Sequence, residues 1–348
     1  MNKFIPLLGG MACLFIAKPS FSQNAGDSIT ASGSYNTAVP FLRMNTDVRS
    51  AGIGESAMAL PGDNVTHYAN PARMAQVGNK SSVAFSYTPW MTNLIKNVAL
   101  YSVSGYYKTS ENEVISGGIR YFKQGQLKQT SDGGNDLGQY NPYDMAIDAS
   151  YARKLSPELY IGASFRYIYS HIVGSGYAGF QNGGAVGADL GLYYQTKENK
   201  QGQSWHLAAV IANVGSKIKY SDASNGFALP STAGIGAAFQ QKLTDEDRLI
   251  FTADLQSPLT SPVSGKSFFE DRMQYNFGGE YGYHSMLFVR AGYSSESTPY
   301  GGFQFVTTGL GLAFKSCKLD MAYLIPAGSS TTSTMSNTFK LGLSFVIK

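Results

Sequence analysis

The sequence predicts an all-β fold: a fourteen-stranded antiparallel transmembrane β-barrel preceded by an N-terminal hatch or plug segment. Three observations predict it. Charged residues are scarce at 14% while Gly (39), Tyr (23) and Phe (20) are abundant; a typical soluble domain carries about 25% charge. From Ser81 onward, apolar and polar residues alternate with period two. The polar links between the alternating segments are short and long in strict turn. A barrel turns an apolar, aromatic-girdled outside to lipid and so needs little surface charge. Because its strands alternate, the mean hydropathy of −0.14 fits as well.

The first element is a secretory signal, residues 1–22. Lys3 supplies the positive start, residues 4–17 are mostly apolar yet too short to span a bilayer as a helix, and Ser20-Phe21-Ser22 places small residues before Gln23. A lipoprotein reading at Cys13 lacks the usual leucine three residues upstream. Removing the signal takes away Lys3 and Lys18 and no acid, so the net charge falls from +4 to +2. That is no nucleic-acid footprint. Cys317 then stands alone, which excludes an intramolecular disulfide or a cysteine zinc site.

Residues 23–80 do not alternate. Residues 49–59 are rich in small side chains, and Asn70-Pro71-Ala72-Arg73-Met74 reads as a turn opening a helical segment with proline at its start. A non-barrel segment of this kind has a natural place inside the lumen.

Residues 81–348 form the barrel. The last segment sets Phe339, Leu341, Leu343, Phe345 and Ile347 against Lys340, Gly342, Ser344, Val346 and Lys348. Fourteen such segments are centred on Phe85, Tyr101, Ile119, Ile147, Phe165, Leu190, Leu207, Ala237, Phe251, Phe277, Val289, Leu310, Met321 and Leu343. Each is near the ~10 residues that a tilted membrane strand needs. The short links (109–112, 156–158, 197–203, 244–247, 284–285, 315–316) read as periplasmic turns. The long ones (88–95, 123–142, 171–184, 215–231, 257–271, 295–303, 325–336) read as extracellular loops. A soluble β-sandwich also alternates, but it requires neither strands this long nor two loop sizes in turn.

With the apolar register in lipid, the inward register carries Arg120, Asp148, Arg166, Asp189, Asp254, Glu280, Arg290 and Asp320. These eight form either a polar conduit or an ion-pair network tying plug to wall. The network is preferred, because lone charges in a narrow lumen must pair. Gly117, Gly118, Gly162 and Gly187 leave kinks in the wall open.

Other patterns carry less. Gly52-Ile53-Gly54-Glu55-Ser56-Ala57 matches the dinucleotide fingerprint, yet no apolar strand precedes it. Ser216 and Lys219 match an acyl-serine spacing without a Lys-Thr-Gly companion. The four histidines have no ligand spacing, so no metal or cofactor is expected. His171, on the lipid-facing register, needs a serine from a neighbouring strand to act as a deacylase, because adjacent Ser170 points to the other face. The first long link, with Trp90, Met91, Leu94 and Ile95, is apolar. It serves either as an aromatic anchor at the membrane surface or as a partner-docking patch.

Several segments carry a family resemblance. They are Thr37-Ala38-Val39-Pro40-Phe41-Leu42, then Asp47, Arg49, Gly52 and Gly54, then Asn70-Pro71-Ala72 and Ser86-Tyr87-Thr88-Pro89-Trp90. Asn141-Pro142-Tyr143, Asp148 and Tyr151-Ala152-Arg153-Lys154-Leu155-Ser156 follow in order. The chain resembles the PorV (LptO) family of the type IX secretion system, most densely over residues 37–168. The Asn-Pro-Ala segment is shared with FadL-like barrels and PorQ. The resemblance implies a FadL-like barrel without catalysis or cofactors. It implies binding to the SprA/Sov translocon barrel, collection of cargo proteins with C-terminal sorting domains, and delivery to a PorU-containing attachment complex. The competing expectation is a FadL-like transporter of hydrophobic small molecules, which would need an apolar interior.

Overall fold

The structure, a computed structural model, describes residues 37–63, 66–90, 97–130, 134, 136–172, 179–222, 225–260, 273–297, 303–327 and 338–347. Sixteen strands are β1 (Ser81–Pro89), β2 (Val98–Ser110), β3 (Glu113–Gln124), β4 (Leu127–Thr130), β5 (Asp136–Tyr140), β6 (Tyr143–Lys154), β7 (Leu159–His171), β8 (Gly183–Gln195), β9 (Gln203–Gly215), β10 (Thr232–Lys242), β11 (Arg248–Pro258), β12 (Gln274–Tyr283), β13 (Leu287–Glu296), β14 (Gln304–Phe314), β15 (Cys317–Pro326) and β16 (Thr338–Ile347). Fourteen of them close an antiparallel barrel in sequence order. The seam pairs β1 with β16, from Ser81 opposite Ile347 to Tyr87 opposite Leu341. β4 and β5 form a separate hairpin within the second long link. All fourteen strand centres expected from alternation lie on barrel strands, and short and long connections alternate around the barrel.

Burial follows the two-residue period. On β7, Ser164, Arg166, Ile168 and Ser170 are buried, whereas Ala163, Phe165 and Tyr167 are exposed. The exposed face belongs to hydrocarbon, and aromatic residues cluster where its ends meet the headgroups. At the short-turn end these include Tyr107, Tyr151, Tyr194, Trp205 and Phe314. One irregularity interrupts the wall. Asn213 takes a left-handed φ of 58°, the register between β8 and β9 shifts, and the Asn213 amide donates to Asp189 Oδ1 at 2.6 Å. This is a β-bulge, which locally strengthens the twist.

Residues 37–63 and 66–77 lie within the ring. They contain 3-10 turns at Pro40–Arg43, Thr66–Tyr68 and Pro71–Gln76, and one helical turn, α1 (Val48–Ala51). Such short pieces cannot stand alone, and much of their surface, including Phe41, Ala51, Ile53, Leu60 and Met74, is buried.

Candidate functional site

The plugged lumen is the candidate site, and local chemistry shapes the plug before the wall receives it. Asp47 caps α1, accepting the Arg49 and Ser50 amides at 2.9 and 3.4 Å, as an N-cap carboxylate does. Asn70 Oδ1 accepts the Ala72 amide at 3.0 Å, while its Nδ2 donates to Met58 O and, on β8, to Leu192 O, each at 3.1 Å. Arg73 has no exposed surface. It donates to three plug carbonyls: Leu60 O at 2.6 Å, Ala57 O at 2.5 Å and Pro61 O at 3.2 Å. A guanidinium with five donors suits this task of folding a loop around itself.

Wall glycines let the plug backbone come close. A Cβ on Gly162 would strike the Pro71 and Ala72 backbone, and one on Gly292 would strike Ile53 and Gly54. Gly118 faces the Tyr68 hydroxyl. Two of the glycines left open as kinks, Gly118 and Gly162, thus seat the plug. The dinucleotide-like Gly52-Ile53-Gly54 is the other half of this contact. Gly54 (φ 70°) lies on the β12 and β13 backbones; its amide donates to Thr307 Oγ1 at 2.8 Å, and that hydroxyl donates to Gly52 O at 3.0 Å.

The eight inward charges divide into two clusters and one separate carboxylate. In the first cluster, Arg166 bridges Asp148 and Asp189, with its Nη2 at 2.8 Å from Asp189 Oδ2. Arg120 stands 3.5 Å from Asp148, donates to Leu42 O of the plug at 3.3 Å and lies 4.6 Å from the centre of the Tyr68 ring. In the second cluster, Arg290 donates to Glu280 at 2.6 Å and to Asp320 at 2.7 Å. Arg49 of the plug completes it, gripping Glu280 with two bonds of 3.0 and 2.7 Å and reaching Asp63 at 3.2 Å. Lys318 joins Asp320 at 3.4 Å. Asp254 Oδ2 instead accepts two plug amides, Ala57 at 2.6 Å and Met58 at 2.9 Å. Buried charges that satisfy one another with good geometry hold position; breaking one pair leaves an uncompensated ion.

Sequence alternation missed the remaining ties. Lys340, buried on β16, donates to Glu55 at 2.8 Å and to Asn45 O at 3.1 Å, and Arg43 meets Glu296 at 2.9 Å. Lys340 already stood in the inward register of the last strand, so the signal was present there. Burial, aided by the Asp63 carboxylate, pushes Asp47 up to about 6. Burial pulls His67 down to about 4, with Asp148 opposing the shift and Arg120 and Arg166 adding to it. Both effects are desolvation of a charged form.

Trp90 turns inward. It is 9% exposed and belongs to an apolar cluster with Phe41, Leu42, Leu100, Ile168 and Leu229, at the long-loop end of the lumen. It is therefore not an anchor in the lipid-facing aromatic belt. Met91, Leu94 and Ile95 lie outside the described residues. His171 packs on Tyr143 at 5.0 Å between ring centres; Tyr143 is also its partner on β6, and Ser170 faces inward on Asp144.

A cavity of about 110 Å³ remains between plug and wall, bordered by Arg120, Asn213, Asp254 and Asn276. Its lining is mixed, with Leu42, Met44, Met58 and Val210 beside the polar groups, and it is not the continuous apolar interior that a hydrophobic cargo would need.

The comparisons with known proteins agree with this architecture. A family model described as "Type IX secretion system protein PorV" matches residues 28–264. This chain belongs to the PorV family. As a PorV-family barrel it is an outer-membrane component of type IX secretion. Among solved structures it is similar to the P. putida toluene transporter TodX, with 12% identity, 86% of this chain and 97% of that chain covered, and a TM-score of 0.54. A Pseudomonas aeruginosa FadL homologue aligns with 12% identity over 90% of this chain and all of that one, with a TM-score of 0.47. At such identity the TodX likeness is one of fold. No curated protein matches this PorV-family sequence.

Proposed function

We propose that this barrel binds the SprA/Sov translocon, collects cargo proteins with C-terminal sorting domains and delivers them to a PorU-containing attachment complex. The family match over residues 28–264 carries the proposal. The lumen supports it. Even an unobstructed barrel of this size is narrow beside the sixteen- to eighteen-stranded porins that leave a water channel. Here wall and plug are joined by buried ion pairs on β12 and β16 and by the Arg43–Glu296 pair at the end of β13. Cargo is then handled on the outside, by loops. Met91, Leu94 and Ile95 form the docking element, and Trp90 roots it in the apolar cluster at the top of the plug. The proposal gives the chain no catalytic step and no cofactor. The plugged lumen, crossed by buried ion pairs, disfavours a transporter of hydrophobic small molecules.

The test is deletion in the native host, with periplasmic, surface and released proteins compared by mass spectrometry. Proteins bearing C-terminal sorting domains should accumulate in the periplasm. A chain carrying Met91→Ser, Leu94→Ser and Ile95→Ser should fold yet fail to restore export. Normal export in the deletion strain would refute the role.

A further inference from the structure

The barrel wall carries an apolar groove on its outer face. The concavity, about 790 Å³, crosses β6 to β11 and is bordered by Tyr151, Ala163, Leu190, Ala209, Ile235 and Leu255. The ladder explains its shape. Tyr151 faces Ala163 on β7, Ala163 faces Leu190 on β8, and Ala209 on β9 faces Ile235 on β10. Small outward residues alternate with large ones across the strands, so the floor is low between aliphatic ridges. Five strand spacings of about 4.8 Å make the groove roughly 24 Å long. With strands tilted about 40°, it rises some 15 Å through the membrane, about half of a ~30 Å hydrocarbon core. That is the depth of one leaflet.

The lower end of the groove is charged in a particular way. Two residues below Tyr151, on the same outward face, Arg153 stands opposite Ile161. Its guanidinium is 55% exposed and lies 3.5 Å from Glu113, which is 32% exposed. Tyr151 Oη donates to Glu113 Oε1 at 2.8 Å and orients it. Arg153 is one residue from the end of β6, and Glu113 begins β3. A paired cation and anion thus sit where the short turns meet the inner-leaflet headgroups.

We infer that this groove holds one phospholipid of the inner leaflet, a phosphatidylethanolamine. Its phosphate lies on Arg153, its ammonium on Glu113, and one acyl chain follows the groove past Ala163 and Ala209. An anionic headgroup such as phosphatidylglycerol satisfies Arg153 alone and meets Glu113 with like charge. The occupant is therefore zwitterionic, and Glu113 sets the preference.

The full-length protein in detergent is titrated with chain-matched phosphatidylethanolamine and phosphatidylglycerol, and adducts are counted by native mass spectrometry. Wild type should retain one phosphatidylethanolamine, preferred over phosphatidylglycerol by about fivefold, the scale of one exposed ion pair. Glu113→Gln should abolish the preference while keeping the lipid. Arg153→Gln should weaken both lipids by about fivefold, and Ala209→Phe, which fills the floor, should remove the tightly held lipid. Glu113 and Arg153 lie on the surface, so those two variants remain informative if Ala209→Phe does not fold. Equal retention of both lipids by wild type, or adducts unchanged in Glu113→Gln and Arg153→Gln, overturns the inference. So does an Ala209→Phe protein that keeps its lipid but loses a co-purifying membrane protein, because the groove is then a protein interface.

Discussion

Replacing Arg49 with leucine removes the strongest single tie between plug and wall. The guanidinium makes two bonds to Glu280, at 3.0 and 2.7 Å, and reaches Asp63 at 3.2 Å. Breaking a buried pair typically costs 3–5 kcal/mol. The lower end applies here, because Glu280 keeps Arg290 at 2.6 Å and Asp63 keeps Lys318 at 3.9 Å. A loss of about 3 kcal/mol raises the population of released plugs roughly a hundredfold, at 1.4 kcal/mol per tenfold. Two assays read it: single-channel conductance of the protein in planar bilayers, and protease cleavage within residues 37–80. Brief conducting openings and faster cleavage are expected in Arg49→Leu, with the barrel intact by heat-modifiable gel migration. If conductance and cleavage match wild type, the ion-pair network does not hold the plug.

Two further outcomes follow from the same geometry. Gly292→Ala sets a methyl against the Ile53 and Gly54 backbone and should lower the heat-modification midpoint, at a cost of about 1–3 kcal/mol. Gly78→Ala, where a Cβ meets nothing within 4 Å, is the matched control and should behave as wild type. The pH dependence turns on two opposed groups. Asp47, raised from 3.8 to about 6, favours the docked plug below 3.8 and loses that contribution as pH rises through 6. His67, lowered from 6.5 to about 4, favours docking above 6.5 and loses that contribution as pH falls through 4. Each amounts to about 3 kcal/mol, so in wild type they nearly cancel between pH 6.5 and 4. Compared with wild type over that window, Asp47→Asn should show increasing cleavage on acidification, and His67→Gln decreasing cleavage. Parallel profiles in both variants would show that neither group is desolvated by docking.

Alternation made the barrel legible because one face in lipid and one in a lumen leave a two-residue imprint on every strand, as on Phe339, Leu341 and Leu343. The inward charges were legible for the same reason. Their pairing was not, since it depends on which strands are neighbours and on what fills the ring. One arithmetic hint was available: the eight inward residues comprise five carboxylates and three arginines, so cations had to come from elsewhere. Arg49 and Lys318 supply them. The plug left no periodic trace because glycine seats on many strands, not a repeating face, fix its path. Trp90 was ambiguous because an apolar residue in a loop can turn to the core as readily as to a partner, and only its burial in the cluster that holds Phe41 and Leu100 decides.

The position of the seam bears on how the molecule is assembled. Ser81 and Ile347 are 266 residues apart and pair across the closing strands, so this junction is the most non-local contact of the ladder and the slowest kind to form. The 3-10 turn at Pro71–Gln76 ends only five residues before Ser81. Residues 71–76 precede β1 closely in the chain, yet they seat away from the seam, against β6, β7 and β8. A sheet still open at that edge offers the plug a broad entrance, whereas the finished ring offers only its two ends. The plug precedes β1 in the chain and the ring closes on β16, so the order of the chain, plug before closing strand, fits an order of construction in which the stopper is seated before the ring is shut.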